Sequence, residues 1–151
     1  MFLGEHIDDT VDGGTWRSVK NVYVNDAGTW RELQKSYAND AGTWRLGHQK
    51  FSVTVDDNYV LGYNLSGTVT TTAATASGVG GWPGYTYYWE EISGRNAPVA
   101  PGITSASSAS TTFTLNPQQS GTFTANFRCT VTDTLGQSGT VNVTAEFEHG
   151  T

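Results

Sequence analysis

Two stretches in the second half of the chain alternate apolar and polar side chains with a period of two residues. The apolar members of the first stretch are Phe123, Ala125, Phe127, Cys129 and Val131. Those of the second stretch are Val141, Val143, Ala145 and Phe147. This period turns one face of a β-strand toward a core and the other toward water. We therefore predict two long strands, joined by a hairpin loop over residues 133–139.

Shorter runs of β-favouring residues precede these strands at the spacing typical of a β-sandwich. The predicted strands of this part of the chain are 51–55, 68–76, 85–92, 111–115, 122–132 and 140–148. Within 85–92, alternation places Tyr85, Tyr87 and Trp89 on one face, toward the core. No segment carries apolar residues at helical spacing, so the pattern predicts an all-β fold.

The first third of the chain is organised by three copies of Gly-Thr-Trp-Arg, which lie 14 residues apart at 14–17, 28–31 and 42–45. Tyr23 and Tyr37 keep the same spacing, and Phe51 falls on its next step. Self-similarity at a fixed period indicates one small unit used repeatedly. A unit of this length accommodates two short strands and a tight turn, for which the Asn-Asp-Ala-Gly sequence is well suited. We predict a short N-terminal β-meander of repeats with one tryptophan on each rung.

The repeated tryptophans have two interpretations. They could fill an ordinary small core, or they could form a docking or oligomerising surface, and we favour the second. Short hairpins alone cannot bury large aromatic side chains, and Trp with Arg is typical of the centre of a protein interface. The predicted assembly interface consists of Trp16, Arg17, Tyr23, Trp30, Arg31, Tyr37, Trp44 and Arg45.

These patterns divide the chain into an N-terminal repeat module, residues 1–50, and a β-sandwich, residues 51–151. No flexible linker separates the two. Phe51 occupies the tyrosine position of a third repeat and also begins an alternating strand of the sandwich. We therefore expect the last repeat to run directly into the second domain through a stiff joint.

Charge is distributed unevenly between the two parts. Residues 1–50 hold six Lys or Arg and seven Asp or Glu, a net charge of −1, whereas residues 51–151 hold two and seven, a net charge of −5. A domain whose only cations are Arg95 and Arg128 cannot neutralise a row of phosphates, so we expect no nucleic-acid partner.

Targeting signals are not evident in the sequence. The first residues lack the basic start and apolar core of a secretory signal, and no run reaches the 18 or so apolar residues that a spanning helix needs. We expect no membrane partner. The single cysteine, Cys129, leaves no partner for an internal disulfide within the chain and fits folding in a reducing cytoplasm.

Residues 87–89, Tyr-Tyr-Trp, and residues 127–133, Phe-Arg-Cys-Thr-Val-Thr-Asp, resemble the central-strand tryptophan and late-strand cysteine of immunoglobulin-like domains. The partner cysteine is missing where Thr71 or Ala73 would stand. These segments are similar to immunoglobulin-like domains of tailed-bacteriophage virion proteins, and the Gly-Thr-Trp-Arg units resemble short tandem repeats in bacteriophage tail and capsid-associated proteins.

The resemblance implies a structural role in a virion, made and folded in the host cytoplasm. Residues 1–50 would anchor the chain to other capsid or tail proteins, and residues 51–151 would form an outward decoration, cement or tail-associated domain. Self-association is also implied by repetition, and a trimer is one form it could take. The resemblance does not distinguish head, neck and tail.

Catalytic patterns are missing from the sequence. No nucleophile–histidine arrangement, metalloprotease motif or phosphate-binding loop occurs. The adjacent pairs Glu90-Glu91 and Asp56-Asp57 point to opposite faces of a strand and cannot converge on one bond. His6 with its neighbouring aspartates matches no metal-binding loop. We expect a non-enzymatic protein with no cofactor and no metal.

The alternative function is a glycan-binding or host-adhesion module. Aromatic side chains stack on sugar rings, and Trp82 lies in a glycine-rich loop, where it could be either a ligand platform or a plug over the end of the sandwich. The second long loop, 93–102, is stiffened by two prolines. Trp82, Tyr85 and Arg95 are the candidate ligand residues.

Overall fold

The computed structural model describes residues 21–40 and 43–150. Within these ranges the chain forms strands and no helix, so the predicted all-β class is confirmed. None of these residues belongs to a helix that could cross a membrane. The strands are β1 Tyr23–Asp26, β2 Thr29–Glu32, β3 Lys35–Asp40, β4 Thr43–Gln49, β5 Ser52–Val55, β6 Tyr59–Asn64, β7 Val69–Thr70, β8 Ala74–Val79, β9 Thr86–Ile92, β10 Gly102–Ile103, β11 Ser110–Thr111, β12 Phe113–Leu115, β13 Gly121–Thr132 and β14 Ser138–His149.

Strands β5 to β14 form the two layers of a β-sandwich. One layer is a four-stranded sheet in the order β6-β14-β13-β9, in which β6 runs parallel to β14 and the other pairs are antiparallel. The other layer consists of two three-stranded pieces, β5-β8-β11 and β7-β12-β10. Because β7 and β8 follow each other in the chain, as do β11 and β12, the two pieces continue one another across short interruptions.

The core lies between these layers and is rich in aromatic side chains. Phe113 of β12 stacks on Phe127 of β13 with ring centroids 3.8 Å apart, and it meets Trp89 of β9 edge-on at 5.8 Å. All three side chains are buried, as are the alternating apolar residues of β13 and the later part of β14. Every buried apolar residue of the described chain lies at position 60 or beyond. The sandwich therefore has its own core.

Three parts of the sandwich differ from the predicted strands: the run 68–76, strand β6 and the two-residue strand β10, which the sequence did not predict. The run 68–76 divides into β7 and β8: the Thr71 hydroxyl accepts a hydrogen bond from the Phe113 amide at 3.1 Å, and the Thr72 amide donates to the Leu61 carbonyl of β6, in the other layer, at 3.0 Å. Strand β6 is absent from the predicted set. Its apolar residues occupy both parities, so it shows no alternation, and Gly62 is typical of a turn. In the structure Gly62 allows a close approach, since a Cβ there would lie 2.5 Å from the Thr70 carbonyl oxygen.

Within the described residues the repeats form two hairpins of the same register. Asn25 pairs with Trp30 and Val24 with Arg31 in the first; the equivalent residues of the second, 14 positions later, pair in the same way. The first turn is Ala27-Gly28, with φ of 49° and 90°, and both positive values match the type I′ turn that joins two-residue hairpins. The Gly28 amide also donates to the Asn25 side-chain oxygen at 2.8 Å.

The repeat unit is thus a tyrosine strand and a tryptophan strand joined across Asn-Asp-Ala-Gly. Among the described residues no ladder joins β2 to β3, so the predicted meander is realised as successive hairpins rather than one continuous sheet. The backbone bond from the Leu33 amide to the Val22 carbonyl, at 2.6 Å, extends the first hairpin by one pair and does not join it to the second.

The joint between the hairpins and the sandwich is two residues long. Strand β4 ends at Gln49 and β5 begins at Ser52. The Gly81 amide donates to the Gln49 carbonyl at 2.8 Å, and the Phe51 ring lies 6.0 Å from that of Tyr85. The last repeat is therefore fastened to the loop between β8 and β9, which agrees with the predicted direct connection.

Candidate functional site

The aromatic side chains of the first hairpin remain largely exposed to solvent. The register places Tyr23 and Trp30 on the same face, because each lies an even number of pairs from the other along the ladder. Trp30 is 52% exposed and Tyr37 of the second hairpin is 55% exposed. Two strands offer these rings no second layer, so within the described part of the chain they remain in water.

Arg31 lies on the opposite face of the hairpin from Trp30. Its Nε atom is 3.6 Å from Asp26 Oδ2, and both side chains are about two-thirds exposed. An ion pair of this kind contributes little stability, because water screens it and both side chains lose freedom. The guanidinium therefore remains available to a partner.

The remaining predicted interface residues are only partly covered by the structure. Trp16 and Arg17 lie outside the described residues. Trp44 and Arg45 lie in β4 at register positions equivalent to those of Trp30 and Arg31, but their side chains also lie outside the description. Of the eight predicted residues, the structure thus shows the surroundings of Tyr23, Trp30, Arg31 and Tyr37.

Trp82 lies at the end of the sandwich that faces the joint. Its amide donates to Asp133 Oδ2 at 3.0 Å, and its carbonyl accepts from the Thr134 amide at 3.3 Å. The indole is a little less than half exposed. Tyr85 is half-buried beneath this loop, with its hydroxyl donating to the Gly80 carbonyl at 2.6 Å. The backbone on either side of Trp82 is thus fixed as part of the sandwich.

Asp133 is the anchor of this end of the sandwich and is buried. Besides Trp82 it accepts from the amides of Leu135 and Gln137, at 2.9 and 2.8 Å, and from the Gln137 side chain at 3.0 Å. Burial opposes ionisation of this carboxyl, but the hydrogen bonds from Trp82, Gln137 and Leu135 outweigh it and hold its pKa below the usual value.

Asp133→Asn is expected to lower the free energy of unfolding by about 1–3 kcal/mol at neutral pH, because an amide NH₂ group would face backbone donors. Since the folded pKa is depressed, the stabilisation by Asp133 is present above an unfolded value of about 3.9 and is lost as the pH falls through the folded value. Urea unfolding between pH 7 and pH 3 checks both effects. The difference between wild type and variant should shrink at the acid end, whereas Asp57→Asn, on an exposed turn, should change stability little at either pH. If the difference in the free energy of unfolding between wild type and Asp133→Asn did not change with pH, the depressed pKa of Asp133 would not be the source of its stabilisation.

Arg95 does not join Trp82 and Tyr85. It follows β9 at the opposite end of that strand, where its Nη1 atom lies 3.0 Å from both carboxylate oxygens of Glu91. The neighbouring Asn96 bonds to Thr124, near the start of β13, whereas Trp82 contacts residues beyond the end of β13. The sequence-based grouping of these three residues into one ligand surface is therefore corrected.

The described residues bring no catalytic constellation together. No group of three or more His, Cys, Asp or Glu side chains in this part of the chain is placed to hold a metal ion. Burial raises the pKa of the Cys129 thiol to about 11, which makes it a poor nucleophile. Glu90 pairs with Arg128 at 2.6 Å, and Glu91 pairs with Arg95 at 3.0 Å. That the protein is not an enzyme stays a prediction.

Strand β6 presents a further exposed surface that the sequence did not indicate. Four apolar side chains point outward along it and its extension; we call them the β6 stripe, and they are Tyr59, Leu61, Tyr63 and Leu65. Their own alternation is hidden because Val60 and Gly62 between them are also non-polar. The spacing of the four, taken alone, is the signal that would have revealed the stripe.

The fold belongs to the class of immunoglobulin-like β-sandwiches. No family model matches the sequence, and no curated protein matches it. The sandwich is similar to the PapD-like domain 7 of human CEP192, with a TM-score of 0.54 and 8% identity over 64% of this chain and 84% of that domain. At this identity the likeness bears on the fold alone.

Two other structures match less well. A nucleoside hydrolase-related hypothetical protein from Saccharophagus degradans gives a TM-score of 0.47 at 15% identity, over 68% of this chain and 26% of that one. A conjugative transposon lipoprotein from Bacteroides eggerthii gives 0.36 at 15% identity, over 63% and 95%.

Proposed function

We propose that this chain is a non-enzymatic structural component of a tailed-bacteriophage virion, attached to other virion proteins through its N-terminal repeat hairpins. The immunoglobulin-like sandwich is the displayed part, as a capsid decoration, a cement or a tail-associated domain. The bacteriophage setting rests on the sequence resemblance of the repeats and of residues 127–133.

The exposure of Trp30 is the observation that carries the attachment role. A half-exposed indole is costly to leave in water and is the residue type that most often dominates a protein interface. Trp30 is not part of the core of the sandwich, because every fully buried apolar residue of the described chain lies at position 60 or beyond. A repeated hairpin that leaves its aromatic side chains outside is therefore well suited to binding another protein.

The joint is consistent with hairpins that attach the chain and a sandwich that is displayed. Two residues connect the hairpins to the sandwich, and the Gly81–Gln49 hydrogen bond fixes the connection. A rigid connection transmits the position of the attached hairpins to the displayed domain. The net charge of −5 on residues 51–151 suits a surface that faces solvent.

Trp30→Ala in the full chain tests the attachment role. We expect the affinity for the particle to fall about 30-fold or more, since truncating an interface hot spot costs about 2 kcal/mol or more. The measurement is the occupancy of a tagged chain on purified particles, quantified by mass spectrometry. Tyr88→Ala is the matched control, because Tyr88 is an exposed aromatic on the sandwich.

Full occupancy of Trp30→Ala particles, with the variant folded, would overturn the attachment role. Saccharide binding by the full chain that Trp82→Ala abolishes and Trp30→Ala preserves would instead support an adhesion module.

A further inference from the structure

The β6 stripe needs its own explanation, because it lies on an edge strand. Tyr63 and Leu65 are 61% and 62% exposed, and Tyr59 and Leu61 are more than two-fifths exposed. Edge strands with an apolar outer face invite association unless they are covered or charged. The stripe carries no lysine or proline that would discourage it.

The stripe runs from the middle of the sandwich to the end that lies away from the joint. Gly139, at the start of β14, lies against Phe51 and Val53 next to the joint. Gly150, beyond the other end of β14, lies against Leu65 and Tyr63. Eleven residues of extended chain separate these glycines, or roughly 36 Å. Tyr63 and Leu65 therefore lie at the far end of the sheet from the joint, whereas Tyr59, which pairs with Thr144, lies about 16 Å along β14 from Gly139.

Charge decides which surface of a second copy suits the stripe. By register, Glu146 and Glu148 of β14 lie beside Leu61 and Tyr63 on the same face. Asp56 and Asp57 precede the strand. Pairing two stripes would bring these carboxylates of both copies together, which opposes association.

The cations that could balance these acids are in the repeat module. Arg95 and Arg128 of the sandwich are already paired with Glu91 and Glu90 near the far strand, β9. The other six Lys and Arg of the chain all lie within residues 1–50. Among them Lys35 is exposed and lies two residues from Tyr37 on β3, hence on the same face as that ring, whereas Arg31 lies on the face opposite Trp30. The hairpins thus combine exposed aromatic rings with the cations that the stripe lacks.

The two apolar surfaces are also similar in size. Three half-exposed aromatic side chains on the hairpins offer roughly 300 Å², and the four side chains of the stripe offer a similar area. A standard interface buries about 800 Å² on each partner, of which the outer part is a polar rim. The summed exposed area of each set of side chains is therefore enough for the apolar centre of such an interface.

We propose that the β6 stripe of one copy of this chain binds the aromatic repeat hairpins of a second copy, head to tail. The contact is heterologous, so it either closes into a ring, a trimer included, or continues as a filament. This inference rests on one premise of the proposed function, that the hairpins are the attachment element. It adds the surface that they bind, the β6 stripe of a second copy.

Mixing two damaged full-length chains tests the proposal. One chain carries Trp30→Ala and keeps its stripe; the other carries Tyr63→Ser with Leu65→Ser and keeps its hairpins. Light scattering coupled to size exclusion measures the mass of each chain and of a 1:1 mixture, beside wild type and Tyr88→Ser. All substituted side chains are exposed, and circular dichroism verifies that each variant is folded.

We expect wild type and Tyr88→Ser to exceed the single-chain mass of 16.2 kDa as concentration rises. Each damaged chain should associate about 30-fold more weakly alone. The mixture should form a complex of two chains and no larger species. The intact hairpins of one chain bind the intact stripe of the other, and the two remaining surfaces are both damaged.

Three results would overturn the proposal. Wild type could remain a single chain at all concentrations, or Trp30→Ala could associate as wild type does, which would indicate a stripe-to-stripe contact. The stripe variant could also associate normally, which would indicate contact between hairpins. A single-chain wild type whose attachment to particles still requires Trp30 would overturn self-docking and leave the proposed function standing.

Discussion

Phe113→Ala is expected to lower the free energy of unfolding by about 3–5 kcal/mol, as truncation of a fully buried ring does. The ring lies between the two layers, stacked on Phe127 and edge-on to Trp89. Its removal leaves a cavity lined by rings that cannot collapse into it, because both partners lie in long or well-paired strands. Urea unfolding followed by circular dichroism measures the loss.

The control for this prediction is Tyr88→Ala, since Tyr88 precedes Trp89 on β9 and points outward, 58% exposed. That change should stay within about 0.5 kcal/mol of wild type. A loss of less than about 1 kcal/mol for Phe113→Ala would contradict a core centred on these three rings.

Gly80→Ala is expected to cost about 2–4 kcal/mol and to disturb the joint between hairpins and sandwich. Gly80 has φ of +72°, and a Cβ there would lie 2.3 Å from the Lys50 carbonyl oxygen and 2.6 Å from that of Gln49. The methyl group must displace this backbone, and with it the hydrogen bond from Gly81 to Gln49. Urea unfolding gives the stability, and limited proteolysis near residue 50 reports the joint.

Gly136→Ala separates the two causes of that cost. Gly136 has a similar φ of +77°, but a Cβ there would meet nothing within 4 Å. It should lose only about 1–2 kcal/mol, the cost of the left-handed conformation, and leave cleavage near residue 50 unchanged. Equal losses in stability and equal cleavage for the two variants would show that the joint is not tightly packed at Gly80.

The strands that can be predicted from the sequence are those with one face in the core. In β13 and β14 a polar residue follows each buried one, so the period of two is visible in the sequence. Strand β6 hides its period because its outward side chains are apolar as well. Strand β10 is only two residues long and has no pattern to read.

The repeat hairpins show what a sequence can and cannot say about a site. Identical spacing predicts identical units, and the shared register of the two hairpins follows from it. Which strands pair across which turn is not evident, because both the polar corner and Asn-Asp-Ala-Gly could close a hairpin. The grouping of ligand residues from different loops is wrong, since the sequence does not show at which end of the sandwich Arg95 emerges.

Oxidative footprinting of Trp30 tests most directly whether the hairpins are made to be covered by another protein. Hydroxyl radicals label exposed indoles, and mass spectrometry reports the extent at each tryptophan, with buried Trp89 as the internal reference. We predict that Trp30 is oxidised rapidly in the free protein, at a dilution where light scattering gives the mass of one copy. In the assembled particle we predict strong protection of Trp30. Protection of Trp30 already in the single free chain, or equal oxidation in both states, would contradict the attachment role.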